Sequence, residues 1–228
     1  MSADSAAAEA CYQRMEEVRG LLTSAEPVKW VFTGDSITHG ALHTFGWRDY
    51  VELFAERLRF ELGRGMDLVF NTAISGHTTQ DLLAGFDWRM GHLRPHAVLI
   101  MIGMNDCSAQ RIEPARFRAN LQQLTQSIRQ LPAVPVLQTT CPILPGQSPE
   151  RTPYFPTYMD LVRDVAAAGD LPLVDHERFW RGRAASHYYW MSDPFHPNEC
   201  GHRAFALLLY HALGIWAPDS QVCRLHLP

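Results

Sequence analysis

Short apolar runs alternate along the chain with longer segments in which apolar residues recur every three or four positions. The short runs predict strands at residues 28–33, 68–72, 97–102, 134–139 and 171–174. The longer segments predict helices at residues 47–62, 79–86, 114–131, 156–168 and 199–213. Strands that are apolar on both faces and alternate with helices are typical of a parallel sheet covered on both sides. The pattern therefore predicts an α/β fold of three layers.

The segment before the first strand is predicted to form an amphipathic helix over residues 6–22. Apolar side chains recur there at helical spacing among charged residues, at Cys11, Met15, Val18 and Leu22. Because no repeat or Gly/Ser linker interrupts the sequence, residues 1–228 are predicted to form one domain, with residues 1–27 as a helical extension packed on it. The proline-rich residues 141–156 are interpreted as a long surface loop beside the functional site.

Composition narrows the classes of function. The formal net charge is −4 and basic residues form no run, which argues against binding to nucleic acid or to an anionic membrane surface. The longest apolar run, residues 97–104, is too short to span a bilayer, and no signal peptide pattern opens the chain. The five cysteines form no CxxC pair and are interpreted as reduced thiols. We therefore expect a cytoplasmic protein that acts on a small molecule.

The residues directly after each predicted strand are the first candidates for chemistry, because ligands of an open α/β sheet bind outside the carboxyl ends of its strands. The first strand is followed by G-D-S-I-T at residues 34–38, where a glycine permits a sharp turn and Ser36 presents a hydroxyl at the sheet edge. Ser36 is a candidate nucleophile. A serine that caps the following helix is the alternative.

Two further strand ends offer hydrogen-bond donors to the same cleft. Gly76, after the second strand, permits a backbone N–H to approach a substrate oxygen, and an ordinary glycine turn is the alternative. Asn105, in the motif G-M-N-D at residues 103–106, can donate a side-chain hydrogen bond there or cap the next segment. Either residue alone is weak support for a site.

The motif D-P-F-H-P-N at residues 193–198 places an acid and a histidine before the last helix. Pro194 fixes one backbone angle and Pro197 favours an extended conformation at His196, so the loop is stiff. Asp193 could then orient His196 as a base, although a lone histidine more often has a surface or structural role. Taken together, the four motifs favour a Ser-His-Asp site over four unrelated structural roles, and the order Ser, Asp, His is one that triads use.

The sequence gives no reason to expect a metal or another cofactor. The histidines near the first two motifs have no ligand spacing such as H-E-x-x-H; they are His39, His43, His77 and His92. His39 is interpreted as a helical surface or packing residue, and Asp35 as a residue that hydrogen-bonds the turn beside Ser36.

The four motifs, in this order and spacing, resemble the conserved blocks of the SGNH (GDSL-like) hydrolase family. The resemblance spans residues 34–198 and implies a flavodoxin-like α/β/α fold with a five-stranded parallel sheet. It implies that Ser36 is the nucleophile, with His196 as base and Asp193 as its orienting acid. It also implies an oxyanion hole formed by the N–H groups of Ser36 and Gly76 and the amide of Asn105. No G-x-S-x-G elbow is present, which argues against a standard α/β-hydrolase.

The resemblance implies ester hydrolysis through an acyl-enzyme, with a small-molecule ester as substrate. Short acyl groups, such as the O-acetyl groups of carbohydrates, are the first expectation. Alternatives are a lysophospholipase or thioesterase that acts on longer acyl chains, an acyltransferase, and a non-catalytic module that binds acylated sugars. Aromatic residues near the motifs could line the site or pack in the core; they are Phe45, Trp47, His187, Tyr188, Tyr189, Trp190 and Phe195. The oligomeric state is left open.

Overall fold

A single central sheet organises the computed structural model, which describes residues 8–225 and 227. Its strands in that part of the chain are β1 Tyr12–Gln13, β2 Lys29–Gly34, β3 Leu68–Asn71, β4 Ala97–Met101, β5 Val134–Gln138 and β6 Leu173–Val174. They lie in the spatial order β1-β6-β5-β4-β2-β3. Strands β2 to β6 run parallel, whereas β1 pairs antiparallel with β6.

The helices include the five predicted between residues 47 and 213, and those at residues 36–39, 86–89, 176–181 and 184–187 were not predicted. The helices of the described residues are α1 Glu16–Leu22, α2 Ser36–His39, α3 Tyr50–Glu56, α4 Thr79–Ala84, α5 Phe86–Arg89, α6 Pro114–Gln130, α7 Phe155–Ala168, α8 His176–Arg181, α9 Ala184–His187 and α10 Glu199–Leu213. A π-helical turn, Arg57–Glu61, continues α3. Short 3₁₀ turns lie at Gly91–Leu93, Ser108–Gln110 and Tyr188–Trp190. Proline in the first turn marks the start of α6, and left-handed Gly214 ends α10.

The strand order places helices on both faces of the sheet. The chain moves outward from β2 to β3, then crosses back over β2 to β4 and continues in that direction to β5 and β6. Because parallel crossovers are right-handed, this reversal puts α3 on one face and α4, α6 and α7 on the other. Helix α10 packs against α3, and α6 packs against both α4 and α7. This arrangement confirms the predicted three-layer α/β class.

Burial of the central strands explains their continuous apolar sequence. All five residues of β4 are at most 1% exposed, as expected for a strand between two helical layers. Trp30 and Phe32 of β2 pack against Phe54 of α3, with ring centroids 5.4 and 5.2 Å apart. The sheet edge that carries the candidate residues therefore rests on a dense core.

The N-terminal segment differs from the predicted helix over residues 6–22. Residues 6 and 7 lie outside the described residues, and Tyr12–Gln13 is a strand paired with Leu173–Val174. The sheet consequently has six described strands instead of five, and it is not purely parallel. The apolar positions Met15 and Val18 are buried as the periodicity indicated, but Arg14 adopts a left-handed φ of 56° that separates the strand from α1. Pairing with the open edge of β6 outweighed local helical propensity.

No helix in residues 8–225 combines the length and apolar character needed to cross a membrane. Cys11, Cys107, Cys141, Cys200 and Cys223 are free thiols in the structure. The cytoplasmic location stays a prediction.

Candidate active site

Ser36 lies at the carboxyl end of β2, where the chain turns sharply into α2. The turn requires glycine at position 34, since a Cβ there would lie 2.0 Å from the carbonyl oxygen of Met101. The side chain of Asp35 caps the helix by accepting a hydrogen bond from the N–H of Ile37 at 3.0 Å. Asp35, and not Ser36, is therefore the cap. The Ser36 hydroxyl lies 2.8 Å from Nε2 of His196.

The loop before α10 holds the imidazole of His196 in a fixed direction. Asp193 Oδ1 accepts the backbone N–H groups of Phe195 and His196 at 3.0 and 2.8 Å, and its Oδ2 lies 2.7 Å from His196 Nδ1. Asn198 caps α10 and also donates to the carbonyl oxygens of Tyr189 and Met191, which ties both ends of the loop together. The chain thus forms a continuous Ser36–His196–Asp193 hydrogen-bonded series. In the tautomer with the proton on Nδ1, His196 donates a hydrogen bond to Asp193. Nε2 is then free to take the Ser36 proton.

Opposing influences set the protonation states of Asp193 and His196. Burial raises the pKa of Asp193, but the hydrogen bonds from Phe195 and His196 and the charge of His196 outweigh burial, so that the pKa lies below its ordinary value. Burial lowers the pKa of His196, Asp193 raises it, and His43 and Arg151 lower it, with a net decrease. Asp193 is therefore ionised and His196 neutral near pH 7, which is the charge state required of an acid that orients a base.

Gly76 and Asn105 lie on the loops that follow β3 and β4, the two strands that border β2. Gly76 has a left-handed φ of 83°, and no atom lies within 4 Å of the place a Cβ would occupy. The space above this glycine is open to a substrate. The amide of Asn105 donates one hydrogen bond to the carbonyl oxygen of His77 at 3.0 Å, which joins the two loops. An amide has two N–H groups, so this hydrogen bond uses only one of them.

Two buried carboxyl groups support the turns below the site. Asp35 is 1% exposed, and burial raises its pKa to about 7. Asp106 is fully buried, accepts the backbone N–H and the hydroxyl of Thr79, and has its pKa raised by burial to about 6. Both make hydrogen bonds to neighbouring turns. The interpretation of Asp35 as a residue that hydrogen-bonds the turn agrees with this arrangement.

Sequence reasoning missed two residues that contact the candidate site. The ring of His43 stacks on the ring of His196, with centroids 3.6 Å apart and planes inclined by 6°. The guanidinium of Arg151, on the proline-rich loop, lies over the ring of Phe195 at 4.0 Å and donates to the carbonyl oxygen of Met104 at 3.2 Å. His43 had been considered only as a metal ligand, and no local motif marks either residue.

His43, Asp193 and His196 also have ligand atoms within 4.8 Å of one another, which is close enough to consider a metal ion. Imidazole nitrogen binds a metal in the plane of its ring, and the two stacked rings lie in parallel planes. One ion cannot lie in both planes, and Asp193 Oδ2 already accepts the N–H of His196. The donor set as arranged fits proton transfer and not metal binding.

The aromatic residues near the motifs divide between the core and the surface. Trp190 is 1% exposed, and His187 is buried with Nε2 3.0 Å from the carbonyl oxygen of Pro142. Large exposed side chains remain at Phe45, Trp47, Tyr188 and Tyr189. His39 is exposed and contacts the hydroxyl of Ser75 at 3.0 Å, so it lies on the helix surface as expected.

Comparison with known proteins gives one family match and several relatives. Residues 32–204 match the model of the GDSL-like lipase/acylhydrolase family. A 168-residue stretch is 28% identical to the uncharacterized lipoprotein YqeF of Bacillus subtilis, covering 63% of this chain and 68% of that protein. An uncharacterized Mycoplasma pneumoniae protein is 32% identical over 99 residues, which is 42% of this chain and 11% of the relative.

Solved structures resemble most of the chain. LAE5, described as an alpha/beta hydrolase enzyme from the metagenome of Lake Arreo, superimposes with a TM-score of 0.72 and 27% identity, over 86% of this chain and 99% of LAE5. A catalytic mutant of Axe2, an acetylxylan esterase from Geobacillus stearothermophilus, superimposes with a TM-score of 0.70 and 25% identity, over 82% of this chain and 94% of Axe2. Catalytic mutants of Axe2 include replacements of a serine and of an aspartate by alanine.

Proposed function

The chain belongs to the GDSL-like lipase/acylhydrolase family and is a carboxylic ester hydrolase, and from this premise we propose that Ser36, His196 and Asp193 form its catalytic triad. The observation that carries the proposal is the pair of short contacts at His196, 2.8 Å from Nε2 to the Ser36 hydroxyl and 2.7 Å from Nδ1 to Asp193. The serine and aspartate mutants of Axe2 that are described as catalytic agree with it.

The proposed reaction passes through an acyl-enzyme in two similar halves. His196 takes the proton of Ser36 as its oxygen attacks the ester carbonyl carbon, and then gives that proton to the leaving alcohol. Water next attacks the acyl-enzyme with His196 again as base, which releases the acid and restores Ser36. Asp193 keeps His196 in the tautomer that accepts at Nε2 and stabilises the imidazolium that forms in each half.

The negative oxygen that forms in each half is proposed to accept hydrogen bonds from the N–H groups of Ser36 and Gly76 and from the amide of Asn105. The N–H of Ser36 belongs to the first turn of α2, where backbone N–H groups are not used within the helix. The open space at Gly76 and the second N–H of Asn105 support the assignment.

Asn105→Ala is expected to lower kcat by about 10²–10³-fold with a smaller effect on KM, because one donor to the developing oxyanion is lost. The measurement is steady-state hydrolysis of p-nitrophenyl acetate. Arg111→Ala is the matched control. Like Asn105, Arg111 hydrogen-bonds the loop that carries Gly76, by donating to the carbonyl oxygen of Gly76 at 3.2 Å. Similar losses in both variants would show that Asn105 acts only by holding the loop.

A groove between α3 and α10 is proposed to hold a large alcohol portion of the substrate. It has a volume of about 530 Å³ and runs between α3 and α10 from the loop after Ser36 towards the C-terminal segment. Its lining residues are Trp47, Arg48, Leu53, Glu56, Glu199, Arg203, Gln221, Val222 and Leu225. Two of its lining residues lie close in sequence to the proposed triad: Trp47 is on the loop between α2 and α3, and Glu199 is three residues beyond His196.

The chemistry of this groove favours a carbohydrate ester. An exposed indole next to guanidinium and carboxylate groups matches a sugar, which stacks on aromatic faces and hydrogen-bonds through its hydroxyls. The acetylxylan esterase activity ascribed to Axe2 agrees with this choice. We therefore propose that the substrate is a short-chain ester, in particular an O-acetyl group on a carbohydrate.

Trp47→Ala is expected to raise KM for an acetylated xylooligosaccharide by about tenfold while hydrolysis of p-nitrophenyl acetate is unchanged, because a stacking contact contributes on the order of 1 kcal/mol. Phe45→Ala is the control, because Phe45 is equally exposed on the same loop but does not line the groove. Equal effects of the two variants on the oligosaccharide would refute the sugar site.

In the wild type, turnover of p-nitrophenyl esters should fall from acetate to palmitate, whereas a rise would indicate a lysophospholipase or thioesterase.

A further inference from the structure

A second imidazole lies flat on the proposed catalytic base. The rings of His43 and His196 are 3.6 Å apart at their centroids and inclined by 6°. Nδ1 of His43 lies 3.6 Å from Oδ2 of Asp193, the oxygen that accepts the hydrogen bond from His196. His43 therefore adjoins both the base and its acid.

The loop that carries His43 is shaped to turn this residue inward. It leaves α2 at Gly40, where a Cβ would lie 2.6 Å from Cβ of Asp49. Left-handed φ values of 68° at Leu42 and 52° at Phe45 then reverse the chain twice. Leu42 and Phe45 are exposed, whereas the side chain of His43, between them, is only 25% exposed. Such unusual φ values at residues other than glycine persist only where the surroundings hold them.

We propose that His43 is a positioning residue for the proposed base: its ring covers one face of His196 and keeps that imidazole in the plane joining Ser36 to Asp193. The inference rests on the proposed triad. An imidazole hydrogen-bonded only at its two nitrogens can still tilt about the line that joins them. A flat neighbour at 3.6 Å blocks that tilt on one side. Proton transfer then begins from one ring orientation, which is the source of rate enhancement by alignment.

His43 also excludes water from the base. Burial is the largest influence on the pKa of His196 and lowers it, and the charge interaction with His43 lowers it further. Other titratable or charged groups near these rings are Asp193, Arg151 and the buried His202, whose pKa is lowered to about 3 by burial and by His43, so that His202 is neutral. Removal of His43 therefore raises the pKa of His196 through two effects of the same sign. Since the base must be neutral to act, the acidic limb of kcat/KM then moves to higher pH.

The test compares wild type with His43→Ala and His43→Phe, using kcat, KM and the pH profile of kcat/KM for p-nitrophenyl acetate. In the wild type, the acidic limb should lie below the ordinary histidine value of about 6.5. We expect His43→Ala to lower kcat by about tenfold at unchanged KM and to move the acidic limb upward. His43→Phe restores a flat cover, so it should recover kcat to within about threefold of wild type. His39→Ala, at the exposed histidine on α2, is the matched control and should resemble wild type.

Three outcomes would overturn the proposal. One is a His43→Ala enzyme with wild-type kcat and an unmoved acidic limb. Another is a His43→Phe enzyme as slow as His43→Ala, which would mean that the flat cover is not the cause. The third is a loss in kcat that is accompanied by a lower Tm while the acidic limb of kcat/KM stays at its wild-type pH. That result would indicate a merely structural role. A wild type with neither ester turnover nor serine labelling would instead refute the proposed triad.

Discussion

Replacement of Ser36 by alanine is expected to lower kcat/KM for p-nitrophenyl acetate by about 10⁴-fold or more, which is the scale seen when a triad nucleophile is removed. Ser36 is 7% exposed and its hydroxyl contacts His196 Nε2 at 2.8 Å, so loss of the hydroxyl removes the atom that would form the acyl-enzyme. Because the turn is capped by Asp35, alanine at position 36 should leave the fold and Tm unchanged.

Ser75→Ala is the matched control for this prediction. Ser75 lies on the neighbouring exposed loop and contacts His39 Nδ1 at 3.0 Å, so it is a second serine at the same edge of the sheet without a contact to His196. Its replacement should leave kcat/KM within about threefold of wild type. A Ser36→Ala enzyme with activity close to that of this control would exclude Ser36 as the nucleophile.

Asp193→Asn is expected to lower kcat by about 10⁴-fold, with KM little changed. An asparagine amide that donates to Nδ1 of His196 would move the imidazole proton to Nε2, and the ring could then no longer accept a proton from Ser36. The side chain of His196 is only 12% exposed, so its tautomer depends mainly on the side chain at position 193. The measurement is steady-state kinetics together with Tm.

A surface carboxylate provides the comparison for Asp193. Asp164 is 57% exposed and pairs with Arg118, so Asp164→Asn should change neither kcat nor KM, because exposed ion pairs contribute little. An Asp193→Asn enzyme that retained about a tenth of wild-type kcat or more would indicate that another group orients His196. Such a result would point to His43, whose Nδ1 is 3.6 Å from the same carboxylate oxygen.

The fold was largely predictable because its signals are local and repeated. An apolar run such as residues 97–102 can be buried on both faces only in a covered parallel strand, and β4 occupies residues 97–101 of it. The last helix was predicted at its observed bounds, Glu199–Leu213. The N-terminal strand was missed because pairing of Tyr12–Gln13 with Leu173–Val174 depends on a partner about 160 residues away. Local periodicity contains no information about pairing with the edge of a strand that is distant in sequence.

The residues of the candidate site also divide into those that the sequence predicts and those that it does not. Ser36, Gly76, Asn105 and the Asp193–His196 loop follow strand ends or precede a helix, so the order of elements alone brings them to one edge of the sheet. His43 and Arg151 reach that edge from long loops whose course depends on left-handed residues and side-chain contacts. Their types and spacing match no motif, and only three-dimensional packing brings them to the base.

Labelling with a fluorophosphonate, followed by intact-mass analysis and peptide mapping, tests the proposed triad most directly. The reagent phosphonylates a serine only where a base activates it and an oxyanion site receives its oxygen. We expect one adduct per chain, located on Ser36, absent in Ser36→Ala and formed far more slowly in Asp193→Asn. No adduct on the wild-type protein, or an adduct on a different serine, would contradict the assignment of Ser36, His196 and Asp193.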